Sequence, residues 1–169
     1  GYSSAASDVY KRQSCMCAKA GMVGITGTNA RPSIAPTFGV ENMLGTNPLT
    51  ISMPTDELFP FNIDCATSIT QRGKIEYFAR EGKPTPAGMV IGRDGSALTD
   101  SEYILKALVS GDAALAPLGG IGEELAGYKG YGYATVVEIL SAALQSGNYL
   151  KMLSGVAEDL SLIHISEPT

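Results

Sequence analysis

The sequence predicts one domain of mixed strands and helices, and three observations carry this prediction. Residues 21–68 hold short runs of β-branched and other apolar residues, each closed by Gly, Asn or Pro, as in strands that deliver polar loops to one edge of a sheet. Two capping-box patterns and one apolar repeat at helical spacing follow, so helices are expected to cover that sheet. A chain of 169 residues forms one hydrophobic core but leaves little room for a second full domain.

The predicted strands occupy, in chain order, residues 22–28, 49–53, 61–66 and 89–91. The first alternates loosely around Val23 and Ile25. The turn after it contains Asn29, which tolerates left-handed backbone geometry, and Pro32, which cannot donate to a strand ladder. The second and third strands are separated by the polar, proline-bounded residues 54–60.

Two capping boxes mark predicted helix starts. In each box a hydroxyl and a side chain three residues later satisfy backbone N–H groups that have no partner within the helix. Ser68 and Gln71 open a helix that extends to about residue 79. Thr99 and Glu102 open a second helix, which is expected to end near Ser110.

Two further helices are predicted near the ends of the chain. Residues 14–20 are mostly small or unbranched and precede Gly21, as at the end of a helix. Residues 133–146 carry apolar side chains at helical spacing and stop at the pair 147–148, Gly-Asn. This apolar stripe is expected to belong to the core and not to a binding surface; it consists of Val136, Val137, Leu140, Ala143 and Leu144.

Composition narrows the classes of function. The net charge of -5 argues against nucleic-acid binding, because phosphate contact needs clustered Lys and Arg, so a small-molecule ligand is expected. The odd cysteine count favours reduced thiols in a cytoplasmic setting, and Cys15 and Cys17 are too close in sequence for a relaxed bridge. No stretch reaches the ~20 apolar residues that span a bilayer. No metal site and no membrane contact are predicted.

The two ends are interpreted as foreign to the native protein. Residues 1–13 and 161–169 show no periodicity that continues into the flanking chain, and they resemble translated sequencing-adapter read-through of assembled metagenomic fragments. Ordinary frayed termini are the alternative. This interpretation leaves residues 14–160 as a partial domain and predicts few core contacts for both ends.

Five ordered segments carry a resemblance to a known family: T-N-A-R-P, L-G-T-N-P, D-C-A-T-S, P-L-G-G and G-Y-K-G-Y-G. Together they resemble the malate/L-lactate dehydrogenases, NAD(P)-dependent oxidoreductases distinct from the Rossmann-type lactate and malate dehydrogenases. The resemblance covers about residues 15–155. It implies an α+β fold, a largely antiparallel sheet flanked by helices, with a non-Rossmann NAD(P)-binding domain. No G-x-G-x-x-G follows a predicted strand, and the P-loop ending is missing.

The resemblance also assigns site residues. Thr46 is implied as a substrate contact, because its hydroxyl can hold a carboxylate or carbonyl oxygen. The resemblance places Ala30 against the dinucleotide, and because alanine has no hydroxyl, only backbone contact is implied there. The implied cofactor-binding residues are Asn29, Ala30, Asp64, Cys65, Ala66, Arg72, Gly73 and Lys129.

Each chemically specific residue also has an ordinary structural interpretation. Thr46 could bond the backbone in a turn before Pro48, and Asp64 could cap the following helix instead of binding ribose hydroxyls. Arg72 could be a solvated helix residue instead of a phosphate ligand, and Lys129 a surface lysine instead of an anchor for pyrophosphate. The sequence leaves these alternatives open.

The expected chemistry lacks its acid–base group. The single histidine is His164, within the suspect C-terminal end, and the resemblance places the catalytic histidine upstream of the matching segment. The prediction is therefore a fragment of an NAD or NADP oxidoreductase for a small 2-hydroxy or 2-oxo acid, inactive as it stands. The resemblance implies a homodimer for the full-length enzyme. A non-catalytic small-molecule-binding or structural domain on the same scaffold is the alternative.

Overall fold

The computed structural model describes residues 4–153 and the side chains of residues 11–153. Helices and strands are both present, as predicted, and two short 3₁₀ helices, Ala143–Gln145 and Leu150–Leu153, close the described chain. The main elements are α1 Ser4–Lys19, β1 Gly24–Gly27, β2 Leu49–Met53, β3 Phe61–Cys65, α2 Arg72–Arg80, β4 Val90–Gly92, α3 Ser101–Ser110, β5 Ala113–Leu115 and α4 Gly127–Ser141.

The strands form two small antiparallel sheets. β1, β2 and β3 pair in sequence order, and β4 pairs with β5. Ile34 links a long loop to the second sheet, because it forms bridges with both Leu44 and Leu115. The antiparallel pairing is confirmed, although β5 was not predicted from the sequence.

The hydrophobic core lies at the second sheet, so the expectation that the helices after residue 68 cover the first sheet was wrong. The helices α2 and α3 and the middle of α4 bring buried side chains against β4 and β5, and none of the core residues belongs to β1, β2 or β3. The core residues are Ile34, Leu44, Ile75, Val90, Ile104, Ala107, Ala113, Leu115 and Ala134.

The first sheet buries its polar face. Thr50 and Ser52 point to one side of β2 and are fully buried, and the hydroxyls of Ser14 on α1 and Ser52 lie 2.8 Å apart. Because side chains alternate across a strand, the apolar residues take the other face. There Ile25, Ile51 and Ile63 stand in one cross-strand row, and the outer two are 62% and 45% exposed.

Both predicted capping boxes were wrong in detail. Helix α2 begins at Arg72, and its N-cap Gln71 makes no side-chain capping bond. Ser68 instead belongs to an extended segment that bridges to Pro117, so its backbone is not available for a helical turn. Helix α3 is capped by Asp100, not Thr99, because the Asp100 carboxylate accepts a hydrogen bond from the Tyr103 N–H. Its end at residue 110 is confirmed.

Helix α4 corrects the predicted apolar stripe. The helix covers residues 127–141, six residues earlier at its start than predicted, and Val136, Leu140 and Leu144 are 50%, 48% and 72% exposed. The face turned inward carries mostly small residues, because the helix passes close to a backbone loop that larger side chains could not approach. The buried residues are Gly127, Gly130, Ala134, Val137 and Glu138.

Helix α1 runs through the proposed boundary at residue 13 and ends at Lys19, which confirms the predicted helix end. Residues 11–13 are exposed, yet the Lys11 Nζ lies 3.9 Å from an Asp64 carboxylate oxygen. The foreign origin of residues 1–13 stays a prediction, and residues 161–169 lie outside the described chain.

Candidate functional site

Three of the five family-like segments meet at Asn47, and a fourth ends two residues before one of its contacts. The Asn47 Oδ1 accepts the Ala30 N–H at 3.0 Å, which ties the T-N-A-R-P turn to L-G-T-N-P. The Asn47 carbonyl accepts the Thr67 hydroxyl at 3.1 Å, which ties L-G-T-N-P to D-C-A-T-S. Its Nδ2 donates to the Ala134 carbonyl of α4 at 3.0 Å, two residues beyond G-Y-K-G-Y-G.

Thr67 continues this connection to the glycine-rich part of the chain. Its N–H and hydroxyl both donate to the Thr46 carbonyl, at 2.9 and 3.1 Å. The Thr67 carbonyl accepts the Leu118 N–H, and the Leu118 carbonyl accepts the Gly130 N–H in the first turn of α4. Thus P-L-G-G lies between D-C-A-T-S and G-Y-K-G-Y-G, and main-chain bonds join all three.

A buried carboxylate completes the arrangement. Glu138 of α4 is 6% exposed, and its Oε2 accepts the Asn47 Nδ2 at 2.7 Å. Its Oε1 accepts the Asn29 Nδ2 at 3.2 Å and the Leu150 N–H at 2.8 Å. We refer to Asn47, Thr67 and Glu138, with the main chain they hold, as the polar junction.

Three predicted site residues therefore lie at the polar junction: Asn29, Ala30 and Thr46. Thr46 is half-buried, and its hydroxyl makes no hydrogen bond to any residue that the structure describes, although its carbonyl accepts two. A turn closed by the Thr46 hydroxyl is thus not what the structure shows. Lys129 directly precedes Gly130, whose N–H makes the last main-chain bond of the polar junction. The Lys129 ammonium is exposed and lies 6.0 Å from the Tyr128 ring centroid.

The other predicted site residues lie apart from these contacts. Asp64 and Cys65 pair with β2, where the Asp64 carboxylate accepts the Thr50 hydroxyl at 2.9 Å, and Ala66 follows directly, one residue before Thr67. Asp64 does not cap α2. Arg72 and Gly73 are exposed in the first turn of α2, where Arg72 Nε donates to Glu76 at 3.0 Å.

Sequence reasoning missed the three side chains that form the polar junction. Asn47 lies inside L-G-T-N-P beside the predicted Thr46, and Thr67 lies inside D-C-A-T-S. Glu138 interrupts the apolar run Val136–Leu140, and a carboxylate within such a run was the available signal, since buried carboxylates require partners.

An apolar groove of about 250 Å³ adjoins the polar junction. Glu138 belongs to its lining, together with Leu44, Tyr131, Ile139 and Tyr149. Within residues 11–153 no cluster of three or more His, Cys, Asp or Glu side chains could hold a metal ion. The three cysteines are unpaired, and no helix between residues 4 and 153 combines the length and apolarity needed to cross a membrane.

Comparison with known proteins identifies the class. The chain belongs to the malate/L-lactate dehydrogenase family, whose sequence model matches residues 9–162. Among curated relatives, it is 44% identical over 143 residues to the malate dehydrogenase of Pyrococcus horikoshii, covering 85% of this chain and 38% of the relative. It is also 35% identical over 124 residues to a Δ1-pyrroline-2-carboxylate reductase of Pseudomonas fluorescens, covering 73% of this chain and 33% of that protein.

Solved structures agree with this assignment. The malate dehydrogenase of Entamoeba histolytica superposes with a TM-score of 0.79 at 40% identity, covering 88% of this chain and 41% of that one. The sulfolactate dehydrogenase of Methanocaldococcus jannaschii gives 0.70 at 32% identity, covering 83% and 37%. The chain thus spans about two-fifths of the length of these relatives.

Proposed function

We propose that this chain is part of an NAD(P)-dependent oxidoreductase and forms a large share of its nucleotide site and one side of its acid-substrate site. The observation that carries the proposal is the polar junction, which holds the family-like segments together through buried hydrogen bonds. The scaffold is a non-Rossmann α+β domain. The whole enzyme is a cytoplasmic homodimer in this proposal.

The exposed groups fit an anionic cofactor. The N-terminus of α2 has no side-chain cap, and Arg72 lies in its first turn, where the helix dipole favours an anion. The Lys129 ammonium makes no ion pair with any described side chain. In this proposal a dinucleotide supplies the hydride. Its phosphates are bound by Lys129 and Arg72. Its sugars are positioned by Asp64 and by the main chain of residues 29–30 and 64–66.

The substrate class follows from Thr46 and from the relatives. Malate, sulfolactate and pyrroline-2-carboxylate are small anionic acids, and the relatives named for them match 72–85% of this chain. A free hydroxyl that can donate suits a carboxylate or carbonyl oxygen of such an acid. The substrate is thus a small 2-hydroxy, 2-oxo or cyclic imino acid.

The proton donor lies elsewhere in this proposal. His164 is outside the described residues, and the described part of the chain contains no histidine. A placed general acid is worth about 10²- to 10⁴-fold in rate. We therefore expect no measurable NAD(P)H oxidation by the 169-residue chain with pyruvate, oxaloacetate or a cyclic imino acid. Turnover should return when the upstream family segment with its histidine is fused to the chain.

Nucleotide titration of the 169-residue chain tests the proposal. Lys129→Ala should weaken NADH or NADPH binding about tenfold, because it removes one charge-assisted contact to phosphate. The matched control is Lys106→Ala, an exposed lysine on α3, which should leave the Kd unchanged. Equal Kd values for the two variants would refute the role of Lys129, and no binding by the parent chain would refute a nucleotide site in this part of the enzyme.

A further inference from the structure

The amide of Asn47 is held in one orientation by its surroundings. It is fully buried, and its Nδ2 lies between two groups that can only accept, the Glu138 carboxylate at 2.7 Å and the Ala134 carbonyl at 3.0 Å. The amide nitrogen must therefore face α4. Its oxygen is left to face the Ala30 N–H, which is a donor.

The backbone at residue 47 also favours asparagine. Its φ is +33°, on the left-handed side that Asn adopts more readily than most residues. Aspartate would have nothing to donate to Glu138, and glutamine is one methylene longer in a fully buried site. Sequence and geometry thus agree on an amide at this position.

Glu138 acts on three chain segments at once. It accepts from Asn29, Asn47 and Leu150, and no Lys or Arg among the described side chains pairs with it. N–H donors alone offset the burial of this carboxylate, so their geometry is closely constrained. Glu138 thereby fixes the side chains of both Asn29 and Asn47.

We propose that Asn47 and Glu138 are positioning residues of the nucleotide and substrate site, and this inference rests on the proposed function. Their bond orients the Asn47 amide, and that amide holds the Ala30 main chain. Thr46 lies between Asn47 and Gly45, whose Cα faces the Ala30 carbonyl so closely that a Cβ would overlap it. The free Thr46 hydroxyl is therefore presented by a backbone held on both sides.

Reversal of the pair tests the inference. Asn47→Asp sets two carboxylates against each other, and Glu138→Gln sets an amide nitrogen against a donor. Each single variant should weaken NADH binding about tenfold, as for a lost charge-assisted hydrogen bond, and should speed hydrogen exchange of the Ala30 amide. The double variant restores an amide–carboxylate pair with donor and acceptor exchanged. It should recover most of the NADH affinity and most of the protection of the Ala30 amide from exchange, although the Ala134 carbonyl loses its donor.

The control is Asn148→Asp, which adds the same charge on an exposed side chain and keeps the carbonyl that accepts from Asn29. Its NADH affinity and its Ala30 amide exchange should match those of the parent chain. A double variant no better than the worse single variant, with both folded, would overturn the inference, because the bond between the two side chains would then not be what holds the Ala30 main chain.

Two measurements separate this inference from the proposed function and from misfolding. Amide exchange at Ala30 is measured without nucleotide. If the parent chain binds no NADH, the proposed function is refuted, but the exchange rates still test the geometry of the polar junction. If every variant unfolds, the side-chain amide of Asn47 is followed by NMR in the unaltered chain. Two slowly exchanging hydrogens support the bond to Glu138, and exchange as fast as that of a solvated amide refutes it.

Discussion

Gly130 and Gly132 offer a matched pair of substitutions in one helix. Both lie within α4, so alanine at either position should gain about 1 kcal/mol of helix propensity. A Cβ at Gly132 would meet no atom within 4 Å. A Cβ at Gly130 would overlap the backbone nitrogen and oxygen of Leu118, which cannot rotate away as a side chain could.

The two substitutions should therefore have opposite effects on stability. Gly132→Ala keeps the whole propensity gain of about 1 kcal/mol. Gly130→Ala pushes the Leu118 loop away, which strains or breaks the bonds from Gly130 N–H to Leu118 and from Leu118 N–H to Thr67. Each bond is worth about 1 kcal/mol, and overpacking costs about 1–3 kcal/mol more. The net loss is about 2–4 kcal/mol.

Urea and thermal unfolding measure the difference. At this chain length about 1 kcal/mol corresponds to a Tm change of about 2–4 °C, so Gly130→Ala should lower the Tm by about 5–15 °C while Gly132→Ala raises it slightly. Nucleotide affinity should fall in Gly130→Ala alone, since Lys129 precedes the displaced residue. Equal Tm values for the two variants would show that the loop between Pro117 and Gly120 does not hold α4, and would refute the reasoning about the polar junction.

Two further predictions concern the rest of the fold. Asp100→Ala should cost about 1 kcal/mol of stability through loss of the α3 cap, whereas Thr99→Ala, at the position that the sequence pattern favoured, should cost little; equal losses would contradict the observed cap. The pKa of Glu41 is held below its usual range, first by the hydrogen bond from Lys151 at 2.9 Å and then by Arg93 at 3.3 Å. A lowered folded-state pKa stabilises the fold at pH values above the ordinary glutamate pKa of about 4.3, and this stability is lost as the pH falls through the folded-state pKa. Glu41→Gln should therefore flatten the dependence of stability on pH in that acidic range.

Apolar side chains are exposed on the first sheet and on helix α4. Burial of Thr50 and Ser52 under α1 leaves the row of Ile25, Ile51 and Ile63 on the open face of the first sheet. Helix α4 also exposes apolar side chains, since Val136 and Leu140 are 50% and 48% exposed although Val137 between them is buried. Both features fit the proposal that the whole enzyme is longer than this chain.

Local signals in the sequence were sufficient for most elements. The alternation and the proline boundaries predicted β2 at residues 49–53 with both ends correct, and Gly111 marked the end of α3. The short strand β5 was missed, because Ala113–Leu115 has only three residues and no alternation. The predicted helix starts were wrong because Ser68 is held in a bridge to Pro117, which leaves α2 without a side-chain cap, and because the Asp100 carboxylate caps α3 in place of the Thr99 hydroxyl.

The sequence alone determined the family, since five ordered segments are specific together, and with it the residues near which a nucleotide and an acid are expected. Only the tertiary structure decided which side chains connect those segments. Asn47 and Glu138 are 91 residues apart, and a bond across that separation leaves no periodic trace in the chain. The position of the core was likewise decided by the tertiary structure, because hydrophobic burial depends on which faces meet in space. The core formed at the second sheet, whereas the first sheet packs its polar face, with Thr50 and Ser52, against α1.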